Sequence, residues 1–181
     1  MINHISLKEK SIVFIGFMGV GKTTIGQLVA KKLYRSFIDI DQEIENEYNM
    51  PTSQIFKLIG EKAFREKEKE IISKYSMQKL KILSLGGGAF LQKETRDICL
   101  KNCIVFYLDV SWNSWKERIN ILIDSRPVLQ GRTLEEIEEL FSERQEIYSL
   151  HHSKLNTDNH DVEEIADYII ESLKLAWELY E

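Results

Sequence analysis

The chain has 181 residues, 43% of them hydrophobic and 29% charged, enough for one domain with a sizeable core. A formal net charge of −5 argues against a nucleic-acid-binding surface, yet leaves room for a local cluster of Arg and Lys that takes a small anion. No apolar run approaches the ~20 residues of a spanning helix, and the polar start Met1 to Lys10 lacks the apolar stretch of a secretory signal. Cys99 and Cys103 are too few for a disulfide framework or a four-ligand zinc site, and read as small buried hydrophobes. A reducing, cytoplasmic setting is the expectation.

In chain order, Ser11–Phe17 (SIVFIGF) is nearly all apolar, as a strand buried on both faces of a parallel sheet must be. The next stretch places Ile25, Leu28, Val29 and Leu33 on one helical face. Phe37–Asp41 reads as a second strand, followed by helical stretches to about Met77 with Phe64, Ile71, Ile72 and Tyr75 on one stripe. Ile82–Leu85 is a third strand ending in Gly86-Gly87-Gly88, and Cys103–Asp109 a fourth. Trp112–Ile123 and Thr133–Tyr148 read as helices on either side of a polar segment with Arg126-Pro127 and Gly131. Leu155–Thr157 is a short fifth strand, and a last helix carries Val162, Ile165, Ile169 and Leu173 at core spacing. The alternation predicts one α/β domain over 1–181, with a parallel sheet covered on both faces. The acidic runs Glu43–Glu47 and Glu135–Glu139 read as solvated helix faces.

Gly16-Phe17-Met18-Gly19-Val20-Gly21-Lys22-Thr23 fits G-x-x-x-x-G-K-[ST] between a buried strand and a helix. Glycines let the backbone wrap a phosphate chain with its amides pointing inward, and the helix N-terminus adds its positive dipole end. In such a loop Lys22 reaches the β- and γ-phosphates of ATP, and the Thr23 hydroxyl ligates Mg²⁺. The chain has neither the N/T-K-x-D segment nor the D-x-x-G segment of a guanine-nucleotide switch, so a kinase is favoured.

A kinase acting on an alcohol needs a carboxylate to orient the hydroxyl and take its proton. Asp39 and Asp41 stand two apart where the second strand ends, and the expectation is that both leave the same face of the sheet at its ligand-binding edge. The competing reading has Asp41 capping a helix that begins near Gln42. Arg65 and Arg144 each sit among glutamates (Glu61 and Glu68 for the former) and could be surface pairs. Three glycines at a strand end permit a close backbone approach by a compact substrate.

Together, Gly16–Thr23, Asp39-Ile40-Asp41, Phe64-Arg65, Gly86-Gly87-Gly88-Ala89, Arg126-Pro127-Val128-Leu129 and Arg144-x-x-x-Tyr148 resemble shikimate kinase in order and spacing, over about Ile12 to Asn159. The resemblance implies a P-loop NTPase fold of the nucleoside monophosphate kinase type: three layers αβα, a five-stranded parallel sheet and a mobile lid. It also implies a substrate-binding helical region at about 42–78 and a lid at about 124–133. ATP and shikimate would be the substrates, Mg²⁺ the cofactor, and the chain a cytoplasmic monomer with no nucleic-acid or membrane partner. Carried over by position, Gly19, Val20, Gly21, Lys22, Thr23, Thr24, Arg118 and Arg126 would hold the nucleotide, and Thr23 and Asp39 (through water) the metal. Asp41 would bind ring hydroxyls and act as base, Arg65 and Arg144 would clamp the carboxylate, and Gly86, Gly87 and Gly88 would line the pocket. Arg126 would meet the transferred phosphoryl group, with Lys22 beside it.

Three features depart from the family pattern. Arg118, which matches an arginine near adenine, stands one residue farther from Arg126 than usual. The stretch between them (INILIDS) is unusually apolar, and the family's basic residue after the last strand, near the adenine, is not visible in Asn156–Asp161. The rival readings are a related gluconate or nucleoside monophosphate kinase, and a non-catalytic nucleotide-binding regulator.

Overall fold

Among the described residues five short strands form one wholly parallel sheet in the order β2-β3-β1-β4-β5. They are Ile12–Ile15 (β1), Ser36–Asp39 (β2), Lys81–Ser84 (β3), Ile104–Asp109 (β4) and Ser153–Asn156 (β5). The computed structural model describes residues 5–180; residues 1–4 and 181 of the expected domain, with part of the polar start Met1–Lys10, lie outside the described residues. β1 is central, between β3 and β4, which is why all four of its residues are apolar and at most 1% exposed. The outer strands β2 and β5 carry polar residues.

Among the described residues eight α-helices accompany this sheet: Lys22–Leu33 (α1), Ile40–Tyr48 (α2), Thr52–Ser76 (α3), Lys93–Asn102 (α4), Trp112–Lys116 (α5), Ile119–Leu122 (α6), Leu134–Tyr148 (α7) and Val162–Tyr180 (α8). α1 packs against α8, and α3 against both α2 and α4. The expected core stripes are found: Ile25 and Val29 of α1, Phe64, Ile71 and Ile72 of α3, and Ile165, Ile169 and Leu173 of α8 are buried. Cys99 and Cys103 are buried and unbridged. Among the described residues no helix is long and apolar enough to cross a membrane.

Several boundaries differ from the sequence reading, each for a local reason. The second strand stops at Asp39, because the Asp39 side chain accepts the Gln42 N–H (3.2 Å) and starts α2 at Ile40. α3 is two helices joined at Gly60, whose φ of 80° and ψ of 165° no helical residue adopts. The predicted helix Trp112–Ile123 is two short helices followed by a 3₁₀ turn, Ile123–Ser125. The run Glu43–Glu47 is not simply solvated: Glu43 accepts from Tyr75 (2.6 Å) and Glu45 from the Thr52 backbone and hydroxyl, docking α2 on α3. The glutamates of the run Glu135–Glu139 are exposed as expected, although Ile137 among them is buried, and Glu136 closes a reciprocal cap on Thr133.

Because every strand runs the same way, the four loops after β1, β2, β3 and β4 gather along one edge. The sheet order reverses direction about β1, and ligands of open α/β sheets bind at such a point.

Candidate active site

The loop between β1 and α1 lies at that point. Gly16 passes so close to β4 that a Cβ would stand 2.5 Å from the Leu108 carbonyl oxygen, and Gly21 enters α1 with φ of 106°. Lys22 opens the helix buried, its ammonium donating to the carbonyls of Gly16 (2.8 Å) and Phe17 (3.1 Å). Burial lowers its pKa to about 8; Arg126 adds to the effect, and Asp41 and Asp39 oppose it. Val20 is buried, and its N–H closes a turn on Phe17 O; Thr24 is exposed on the first turn of α1.

Asp39 and Asp41 do not share a strand face, since the chain turns helical between them. Asp39 caps α2 through one oxygen and accepts the Thr23 hydroxyl through the other, at 2.7 Å. Asp41 sits in the first turn of α2 and caps nothing, so the competing capping role belongs to Asp39 instead. Burial raises the pKa of Asp41 above the ordinary carboxylate value and the Asp39 charge adds to this, while Arg126, Lys22 and Arg65 pull the other way. Lys22, Asp39, Arg65 and Arg126 thus all lie within electrostatic reach of Asp41.

Each glycine of the triplet after β3 receives side chains from other elements. A Cβ on Gly86 would lie 2.8 Å from Asp41 Oδ1, and one on Gly88 would lie 2.2 Å from Arg65 Nη2. Between them, the Gly87 carbonyl accepts from Arg144 Nη1 (2.9 Å) and from the Tyr148 hydroxyl (2.8 Å). None of the three has a positive φ, so the need for glycine here is one of space rather than of backbone freedom. Helices α2, α3 and α7 therefore deliver a carboxylate and two guanidiniums to three consecutive backbone positions. The two guanidiniums are close enough for Arg65 to help depress the pKa of Arg144, behind the larger effect of burial.

Arg65 keeps a long contact with the exposed Glu61 (3.9 Å), but its main partner is buried, and Arg144 is held by the Gly87 carbonyl rather than by a surface glutamate. Arg65 donates to Glu68 at 2.8 Å, but Glu68 is 0% exposed, and burial pushes its carboxyl up to about 7 against the pull of Arg65. Gln92 donates to the same Glu68 oxygen and to the Arg65 carbonyl, each at 3.3 Å. This buried anchor was missed in the sequence because an i,i+3 Arg–Glu pair looks the same on any helix face.

Arg126 is exposed and extended (φ −124°, ψ 98°), as a residue before proline should be, and is flanked by the 3₁₀ turns Ile123–Ser125 and Pro127–Leu129. Arg118 donates to the Gly19 carbonyl at 3.1 Å. From the apolar stretch beyond it, Leu122 packs on Gly19, where a Cβ would meet its side chain at 2.5 Å. After β5, where neither Lys nor Arg stands, Asp158 accepts the Ser111 N–H at the start of α5 and Asp161 accepts the Glu164 N–H at the start of α8.

A family model described as shikimate kinase matches residues 18–174. The chain belongs to the shikimate kinase family. A shikimate kinase of Oceanobacillus iheyensis is 63% identical over 175 residues, covering 97% of this chain and 96% of that one. One of Bacillus subtilis is 58% identical over 178 residues, covering 98% and 96%. A solved shikimate kinase of Acinetobacter baumannii, in complex with shikimate, superposes with a TM-score of 0.85 at 29% identity, covering 93% of this chain and 94% of that one. As a shikimate kinase family member the chain is an enzyme, an ATP-dependent phosphotransferase, and the three-layer kinase fold expected of it is the one observed.

Proposed function

We propose that this enzyme transfers the γ-phosphoryl group of ATP to the 3-hydroxyl of shikimate, giving shikimate 3-phosphate and ADP. It does so as a cytoplasmic, single-domain monomer on the route to aromatic amino acids. The observation that carries this reading is the seating of Asp41, Arg144 and Arg65 on Gly86, Gly87 and Gly88. Two neighbouring guanidiniums without an anion between them repel, and a planar carboxylate relieves that repulsion bidentately. A carboxylate two glycines away then faces the hydroxyl side of a ring acid. A nucleobase or an open-chain polyol would not use both halves of that arrangement. Helices α2 and α3, at about 42–78, form the acceptor side.

In the reaction, the loop 16–23 and Thr24 hold the phosphate chain, and Lys22 turns from the Gly16 and Phe17 carbonyls to the β- and γ-oxygens. Asp41 accepts the proton of the attacking hydroxyl, and its raised pKa brings it nearer to the pKa of a useful base at neutral pH. Arg126 closes from the lid, about 124–133, and neutralises charge on the transferred group as it moves. Arg118 meets the nucleotide with its remaining N–H groups while one stays on the Gly19 carbonyl.

Mg²⁺ fits the residues present. Thr23 and Asp39 offer hard oxygen donors already 2.7 Å apart beside the loop, and among the described residues no group of three or more His, Cys, Asp or Glu side chains is arranged to hold a metal ion by itself. That is the pattern of an ion held by one or two protein oxygens plus phosphate and water. When bound, the ion neutralises charge on the phosphate oxygens. Calorimetric titration tests the acceptor assignment: shikimate binds, whereas its methyl ester, lacking the anion, binds far more weakly. Equal binding of the two would refute the clamp.

A further inference from the structure

Trp115 is 0% exposed and belongs to α5, outside the set of residues given a role above. Its indole Nε1 donates to the carbonyl of Met18, in the middle of the phosphate loop, at 2.7 Å. The ring is fixed on several sides: edge-on to Phe17 (5.0 Å between centroids), stacked with Trp112 (5.5 Å) and beside Phe141 (6.0 Å). Its helix is itself pinned, since the Ser111 hydroxyl caps the Ser114 N–H at 3.2 Å and Asp158 accepts the Ser111 N–H at 3.1 Å.

The Met18 carbonyl and the Gly19 N–H are opposite edges of one rigid trans peptide plane, so holding the oxygen aims the hydrogen the other way. Glycine at position 19, with φ of 77° and no side chain, would otherwise let that plane turn freely. The next carbonyl, Gly19 O, is held by Arg118. The loop amides can only point inward if the carbonyls behind them point outward, and outward carbonyls buried in protein need donors.

We propose that Trp115 is a positioning residue for the phosphate loop: its indole N–H holds the Met18 carbonyl and thereby aims the Gly19 N–H at the phosphate chain of the nucleotide. The inference rests on the reading of loop 16–23 as the nucleotide cradle. The role belongs to one hydrogen bond, not to aromatic bulk.

Trp115→Phe separates the two, because it keeps a ring between Phe17 and Phe141 and removes only the donor. The expected result is about tenfold weaker ADP binding by calorimetry, the loss of one buried hydrogen bond. A matching rise in KM for ATP should accompany it, with KM for shikimate unchanged. Trp112→Phe, in the same aromatic cluster, should leave ADP affinity at the wild-type value. A Trp115→Phe protein with a lowered melting temperature but wild-type ADP affinity would show that the tryptophan only packs, and would overturn the proposal. Should that variant not fold, Trp112→Phe combined with Trp177→Phe leaves Trp115 as the sole tryptophan. Its emission should then change on ADP addition, and constant emission at saturating ADP would overturn the proposal. Wild-type protein that binds no ADP would instead fault the reading of the loop itself.

Discussion

The Arg65 guanidinium lies against the backbone of Gly88 so closely that a Cβ there would stand 2.2 Å from Nη2. Gly88→Ala would therefore displace the tip of a flexible side chain rather than the backbone, and should leave the fold nearly as stable as before. We expect KM for shikimate to rise roughly 10- to 100-fold, the scale of a lost charge-assisted hydrogen bond, with KM for ATP unchanged. Arg65→Ala should produce the same loss. Steady-state kinetics with each substrate varied in turn checks this, and an unchanged shikimate KM in both variants would return Arg65 to the surface-pair reading.

Glu68 ties stability to pH. Its folded pKa of about 7 stands above the ordinary 4.5, so the folded protein holds a proton that the unfolded chain gives up. The stabilisation this confers is complete below 4.5 and is lost as pH rises through about 7. Glu68→Gln cannot ionise, so its melting temperature should gain on the wild type between pH 5 and pH 8. The same variant should bind shikimate roughly three- to tenfold more weakly at pH 8, because Arg65 loses a charged anchor. A melting-temperature difference that is constant with pH would contradict this role.

Lys22 predicts proton uptake on nucleotide binding. Its pKa in the free protein is lowered to about 8, so above that pH the amine is increasingly neutral. A phosphate chain favours the ammonium form and draws the proton back. ADP affinity should fall as pH rises beyond about 8, and calorimetry at pH 9 in buffers of different ionisation enthalpy should register uptake approaching one proton. At pH 6.5, Lys22 should take up almost none. Equal affinity at pH 7 and pH 9 would contradict it.

The lid is tested by Arg126 and the segment around it. Arg126→Ala should lower kcat about 10²-fold or more while changing KM for shikimate little, because its contact is made mainly in the transition state. Hydrogen exchange over residues 124–133 should slow when nucleotide and shikimate are bound together. Identical exchange in the two states, or unaltered kcat in the variant, would show that the segment is not a lid.

Much of this was legible in the sequence, unevenly. The buried runs of β1 and β4 and the phosphate loop stood out because their residues have one physical use each: apolar on both faces, or glycine beside lysine. Asp39 and Asp41 were found as a pair, but their geometry was misread, because an aspartate that ends a strand can also cap the next helix, and spacing does not say which. The glycine triplet was read as room for a substrate; in the structure that room is taken by Asp41 and Arg65 of the protein itself. In the sequence Glu68 reads only as a surface partner for Arg65 and Trp115 carries no role, since burial of a glutamate and the bonding of one indole N–H arise only from tertiary packing.

The most direct test is ADP release measured with Mg·ATP against shikimate, gluconate and nucleoside monophosphates, with the phosphorylated product identified by ³¹P and ¹H magnetic resonance. Shikimate alone should stimulate release, yielding one product phosphorylated at the 3-hydroxyl, and Asp41→Asn should abolish that stimulation while ADP still binds. Brisk turnover of gluconate or a nucleoside monophosphate with no response to shikimate would contradict the assignment.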